Sequence, residues 1–276
     1  MKKKTIISLS IISLIGIALI VCAAVVMANL PYITNRMEYS KQRKEELATI
    51  TADPVLKSIN DLNDDELLKS ANDAFVSESQ DGLNYVAVLQ YRAPEMNTNK
   101  LTDFIRDENN SESLRSGLVD MIFEYGTQSK SANKKLIALL DEPVCDLVKE
   151  HIVTFADFSR KEDKLKQLIS ENSAVSDKAL KKLHEQNPSE AYRLTADVFA
   201  NAADYSDDTV WAAILVERDK LSAEGQTVSD SEKTQAVTVC VDILKSHGEK
   251  EGITLAADGL LSSLVSESEM QELLKE

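Results

Sequence analysis

The sequence predicts an all-α protein, with an apolar N-terminal helix followed by stacked antiparallel helix pairs, the layout of an α-solenoid. Three observations predict it. Gly at 8, Pro at 5 and aromatics at 5% are too few in 276 residues for the turns and aromatic-rich strands of a β sandwich or barrel. Ala, Leu, Lys, Glu, Ser and Asp dominate, a composition that favours helices. From Leu101 onward, a short helix, a polar turn and a longer helix recur as one unit.

The first element is MKKK followed by an uncharged run, Thr5–Leu30, of 26 residues. A helix needs ~20 residues to cross a bilayer core, and a secretory apolar region is usually ~7–15. Residues 1–30 therefore read as a signal-anchor or transmembrane helix. Cleavage after Val26-Met27-Ala28 or Val21-Cys22-Ala23 gives the secreted alternative. Leu19-Ile20-Val21-Cys22 matches a lipoprotein box only loosely. Lys2, Lys3 and Lys4 favour an N-terminus held inside and an extracytoplasmic body. Pro31 ends the helix, and residues 31–51 read as a polar linker or helical stalk. The expected helical-repeat domain is 52–276.

Within that domain, Asp64–Glu78 places Leu67, Leu68, Ala71, Ala74 and Phe75 on one face at helical spacing, with Asn63 or Asp64 as cap. Residues 83–92 fit both periods, since Tyr85, Ala87, Leu89 and Tyr91 alternate like a strand. Their context assigns them to a helix. The repeat begins with LTDFIRDENNSESLRSGLVDMIFEYG at Leu101 and returns as LIALLDEPVCDLVKEHIVTFADFS at Leu136, 35 residues on. Asp107 to Asp141 and Arg115 to Lys149 are each 34 residues. Leu165–Gln186 repeats the pattern at a shorter period. Ser189–Ala202, Ser206–Leu221 and Ser231–His247 continue as helices.

Leucines, an Asp, a basic residue and then an apolar helix ending in Gly resemble HEAT and armadillo-type repeats over about residues 98–265. The resemblance implies a right-handed solenoid of antiparallel helix pairs. It also implies an inter-repeat polar ladder, carried here by Asp107 with Arg115 and Asp141 with Lys149. Their spacing of 8 is longer than the family pattern. On this reading Arg115 is a structural residue of a repeat, not a catalytic one.

No motif for chemistry emerges. None of His151, His184 and His247 has the neighbours at helical spacing that would complete a metal set. Cys145 and Cys240 are 95 residues apart among apolar neighbours and read as buried thiols, their pairing left open. Ser131-Ala132-Asn133-Lys134 matches SxxK without the accompanying KTG, and Ser131 reads better as a helix cap. Asp61–Glu66 begins like a calcium loop, but Glu66 stands where glycine is needed. Glycine-rich phosphate loops and GxSxG are absent. Catalytic, cofactor and metal residues are accordingly expected to be none.

Residues 51–276 hold 24 basic and 43 acidic residues, an excess that repels phosphate backbones and argues against nucleic acid. The short Lys-rich leader suggests a bacterial chain. The function expected is a non-enzymatic, membrane-tethered scaffold that binds a basic protein partner. An exported ligand-binding or immunity-like inhibitor of the same fold is the first alternative, and an enzyme the second. Trp211, the single tryptophan, reads first as a core anchor beside Leu215 and Arg218 and second as a partner contact.

Overall fold

The computed structural model describes residues 38–123, 130–222, 229–246 and 251–275. These residues are helices and their connections, with no strand among them. The run Thr5–Leu30, expected as the anchor, lies outside the described residues. None of the described helices is long and apolar enough to cross a membrane. The described chain forms two compact units, 38–96 and 97–275.

The first unit comprises α1 (38–52), α2 (Pro54–Asn60), α3 (Asp64–Val76) and α4 (Gly82–Arg92), closed by a 3-10 turn at Ala93–Glu95. It takes in most of the stretch expected as a linker or helical stalk, because Arg43 and Ile50 of α1 are buried in it, and the units divide after Met96. Local chemistry sets each helix start. The Asp53 side chain accepts from the Val55 and Leu56 N–H groups, and Pro54, whose missing N–H costs nothing at a first turn, begins α2. Asn63 and Glu66 form a reciprocal capping box on α3, so the acidic run Asp61–Glu66 is a helix start. α2 and α3 both pack on α4, burying Ile59, Leu67, Leu68, Val88 and Leu89. Residues 83–92 are helical, as their context indicated.

The second unit opens with α5 (Thr98–Arg106) and α6 (Glu112–Phe123), then α7 (Lys130–Ala138) and α8 (Asp146–Phe155), α9 (Glu162–Ser170) and α10 (Ser176–Gln186). It continues with α11 (Pro188–Ala200) and α12 (Asp207–Ser222), α13 (Asp230–Ser246) and α14 (Glu251–Leu264), and ends in α15 (Glu267–Leu273). Each helix packs on the other member of its pair. Along the chain, α6 packs on α8, α8 on α10, α10 on α12 and α12 on α14. In α9 the buried Leu165, Leu168 and Ile169 fall at i, i+3, i+4, and in α10 the buried apolar Ala179 and Leu180 lie four and three residues before Leu183, so each set lines one face. α12 buries Val210, Ala212, Ala213, Ile214 and Val216 around most of its circumference, which suits its place against α10, α11 and α14.

Side chains tie down the connections. Asn133 Nδ2 donates to the Asp157 carbonyl at 2.8 Å and its Oδ1 accepts from the Asp157 N–H at 2.9 Å. Asn172 adopts φ +46°, a conformation asparagine tolerates, and bonds the Asp204 carbonyl at 2.7 Å and the Ser206 N–H at 3.3 Å. Next to Asp157, Phe158 is fully buried although it lies between helices. Replacing Phe158 by Ala is expected to cost about 3–5 kcal/mol, since the cavity left under a clamped connection cannot collapse. A urea titration followed by circular dichroism checks this; a loss under 1 kcal/mol would place Phe158 outside the core.

Candidate functional site

Two arrangements stand apart from ordinary core packing: a line of polar contacts across the second unit, and a polar cleft in the first.

The line runs over the even-numbered helices, with side-chain contacts joining each to the next. His151 Nδ1 on α8 lies 2.6 Å from Asp120 Oδ1 on α6. Lys178 Nζ on α10 lies 3.1 Å from Glu150 Oε1 on α8. Lys181 Nζ stands 5.1 Å above the centre of the Trp211 ring on α12, a cation–π contact. Arg218 of α12 reaches over Gly259 of α14, its Nη1 3.9 Å from where a Cβ would stand. Trp211 is half-buried, so part of the residue stays accessible beside Lys181. Phe155 on α8 and Leu255 on α14 are exposed apolar side chains.

The odd-numbered helices carry a second set. Lys135 of α7 bonds Asn99 of α5, Arg106 of α5 pairs with Glu142 beyond α7, and Lys164 of α9 pairs with Asp141. Lys166 of α9 lies 3.4 Å from Glu190 of α11. The Arg106 hydrogen bond pulls the Glu142 carboxyl below its usual range, and Arg193 does the same for Glu190.

The residues expected to form a repeat ladder are placed as follows. Asp141 joins one helix pair to the next through Lys164. Lys149 lies half-buried on α8. Asp107 follows α5 as its cap residue, and the Asn109 backbone N–H holds its carboxyl below the usual range, with the Asn109 side chain and the Arg115 charge adding to this. Arg115 is only 3% exposed, donates from Nε to the Ile105 carbonyl at 2.6 Å, and has a buried Nη2 with no partner. It thus satisfies a carbonyl in the last turn of α5 from the opening of α6 (Glu112–Phe123). Truncation to Ala strips that carbonyl and opens a cavity, so Arg115→Ala is expected to destabilise by about 2–4 kcal/mol. Arg115→Lys should fail to restore this, since lysine has no donor at the Nε position that reaches Ile105. Equilibrium unfolding of the three forms decides; full rescue by lysine would reduce the role of Arg115 to its charge.

Among the other candidates, His184 lies 3.9 Å from Asp219, and His247 lies outside the described residues. Ser131 is exposed in α7. Cys145 and Cys240 are free thiols; Cys145 is half-buried, while Cys240 is fully buried and pushed up to about 12 by desolvation. Among the described residues no group of three or more His, Cys, Asp and Glu is arranged to hold a metal ion.

Sequence reasoning missed Glu217. It lies on α12, 3% exposed, with Oε1 buried and without a hydrogen-bond partner. Lys220, also buried, is 4.0 Å away and bonds Glu232 at 2.9 Å. Burial raises the Glu217 pKa, Lys220 opposes this and Glu232 adds to it. Glu232 is lowered to about 2 by the Ser229 N–H and by Lys220. The sequence signal was an acid directly after the apolar run of α12.

The two carboxyls act on stability in opposite pH windows. Glu232 stabilises the fold above its ordinary range and loses that contribution as pH falls towards 2. Glu217 favours the fold when protonated and loses that contribution as pH rises through its raised folded value. Glu217→Gln should therefore unfold at higher urea than wild type at pH 8, with the difference vanishing near pH 4. A gap independent of pH would sink this assignment.

The cleft in the first unit holds about 260 Å³. Arg43 of α1 holds its Cζ over the Tyr91 ring, 3.9 Å from the ring centre, donates to the Tyr91 carbonyl and reaches Glu95 at 3.1 Å. Arg92 donates to the Asn60 carbonyl at 3.1 Å, to the Leu62 carbonyl, and to Asp64. Both guanidinium groups cover helix ends, Arg43 that of α4 and Arg92 that of α2, where carbonyls lack intrahelical donors.

No protein-family model, curated protein or solved structure matches the chain.

Proposed function

We propose that the chain is a non-enzymatic, membrane-tethered scaffold that binds another protein through its helical-repeat body. The observation that carries this reading is Trp211. A single tryptophan, half-buried on α12 and under a lysine of α10, has the make-up of a contact hot spot with a polar rim. The order of packing, pair on pair and α6 through α14 in sequence, supports a HEAT-like solenoid, in which each pair buries its neighbour's apolar face. The uncharged run Thr5–Leu30 after three lysines supports a single-pass anchor with an extracytoplasmic body. The acidic excess supports a basic partner.

Two measurements test this together. Carbonate extraction should leave the full-length chain in the membrane; release of intact protein refutes the anchor. Capture from native membranes with the full-length chain should recover a saturable protein partner, and Trp211→Ala should weaken that capture about 30-fold, the scale of a hot-spot residue. Equal capture by a folded Trp211→Ala chain would return Trp211 to the core.

A further inference from the structure

One cation stands between two carboxyls where α12 meets the start of α13, and the three groups lie at different depths. The side chain of Glu217 is 3% exposed, that of Lys220 7% and that of Glu232 27%. Glu217 and Lys220 stand about one turn apart on α12, and Glu232 lies in the first turn of α13. Burial eases outward from Glu217, so the way to water leads past Glu232.

The two carboxyls are used unequally. Glu232 Oε2 accepts from the Ser229 N–H and from Ser229 Oγ, each at 2.8 Å, and its Oε1 accepts from Lys220 at 2.9 Å. Ser229 Oγ in turn takes the Glu232 N–H at 3.2 Å, which closes a box on the first turn of α13. Glu217 Oε1 is buried without a hydrogen bond, and Lys220 Nζ, at 4.0 Å, lies beyond hydrogen-bond reach.

Other charged groups around α12 are turned elsewhere. On α11, Tyr192 sets its ring 5.9 Å from Lys220 Nζ, and Glu190 pairs with Arg193. On α10, His184 lies against Tyr192 and 3.9 Å from Asp219, and Lys181 lies over Trp211. Arg218 reaches over Gly259 of α14, and Asp258 of α14 and Lys233 of α13 are exposed. The charges that bear on Glu217 are those of Lys220 and Glu232.

With Glu217 protonated, one cation meets one anion and the buried charge cancels. When Glu217 gives its proton to water, the same lysine faces two carboxylates, and a buried charge without a counter-charge is costly. Glu217 is too deep to be hydrated in place. Relief comes from the outer members: Lys220 turns from Glu232 to Glu217, and the first turn of α13 lifts to let water reach Glu232.

We propose that Glu217 is a proton-operated latch, which when protonated leaves Lys220 to hold the first turn of α13 and when ionised takes Lys220 and releases that turn. The inference holds whether or not the chain is a scaffold. Its sign follows from the burial of Glu217: the latch is closed at low pH and opens as pH rises through the raised value of this carboxyl.

Amide hydrogen exchange of the full-length protein in detergent micelles tests this, read by mass spectrometry at pH 5, 7 and 9 and corrected for the intrinsic pH dependence of exchange. Peptides covering 229–236 should lose protection about tenfold or more between pH 5 and pH 9, while those covering 165–186 change little. Glu217→Gln, close in shape and never charged, should keep 229–236 protected at every pH. Protection of 229–236 that stays flat with pH in the wild type overturns the latch. So does an equal loss in Glu217→Gln. A loss spread evenly over the second unit overturns it too, and makes Glu217 a determinant of global stability alone.

Discussion

Each helix of the second unit depends on burying an apolar stripe that its own hairpin partner covers only in part. α12 shows this most clearly. Its Val210, Ala212, Ala213, Ile214 and Val216 point in too many directions for α11 alone, and α10 and α14 cover the rest. A fully buried aliphatic side chain is worth about 1.5–3 kcal/mol, and an exposed ion pair about 0–1. Burial therefore drives the stacking, and exposed pairs such as Arg106–Glu142 add specificity of register more than stability. The same crowding explains the buried polar groups. Glu217 and Lys220 sit on a helix with few solvent-facing positions, and Arg115 is enclosed where α6 meets the end of α5.

Much of the fold was legible because it rests on local signals. Asn63 with Glu66, Asp53 with Pro54, and Asn187 with Pro188 announce helix starts in the letters themselves. Apolar residues at i, i+3, i+4 mark the faces that meet. The repeat from Leu101 and Leu136 was visible because both pairs share one order of short helix, turn and longer helix. What was illegible depends on the third dimension. Nothing near Arg43 in sequence says that it stacks on Tyr91, 48 residues away, so α1 read as a stalk. Asp141 was picked out by its spacing, yet the cation it meets, Lys164, comes from the following pair and not from the interval of 8 that drew attention to Lys149.

The candidate sites divide along the same line. Trp211 was legible as the single tryptophan, but its half-open face is a product of packing. The cleft was not legible, because Arg43, Asn60, Asp64 and Arg92 lie on four helices, each with an ordinary local reason to be there. Both arginines serve helix ends, which is why Arg43 is buried and Arg92 half-buried; the cleft follows from their covering two ends side by side. A polar site of this kind arises where capping demands converge, and leaves no motif.

The acids at helix starts bear on how such a chain could meet a partner. Glu66 turns back to the Asn63 N–H, Asp64 holds Arg92, and Glu232 holds the Ser229 N–H and Lys220. Their hydrogen-bonding capacity is largely spent inside the fold. Glu66 has no basic partner in its cap, so its charge is not cancelled by the bond it makes to a backbone N–H. Residues 51–276 keep 43 acids against 24 bases whatever the local pairing, and that surplus sets the field beyond contact range. Field and contact therefore come from different residues. The surplus can steer a basic partner over roughly a Debye length of ~8 Å at physiological salt. On the proposed reading, the docked contact falls to side chains of the second unit that remain at least partly open, such as Trp211, Phe155 and Leu255 on the even-numbered helices.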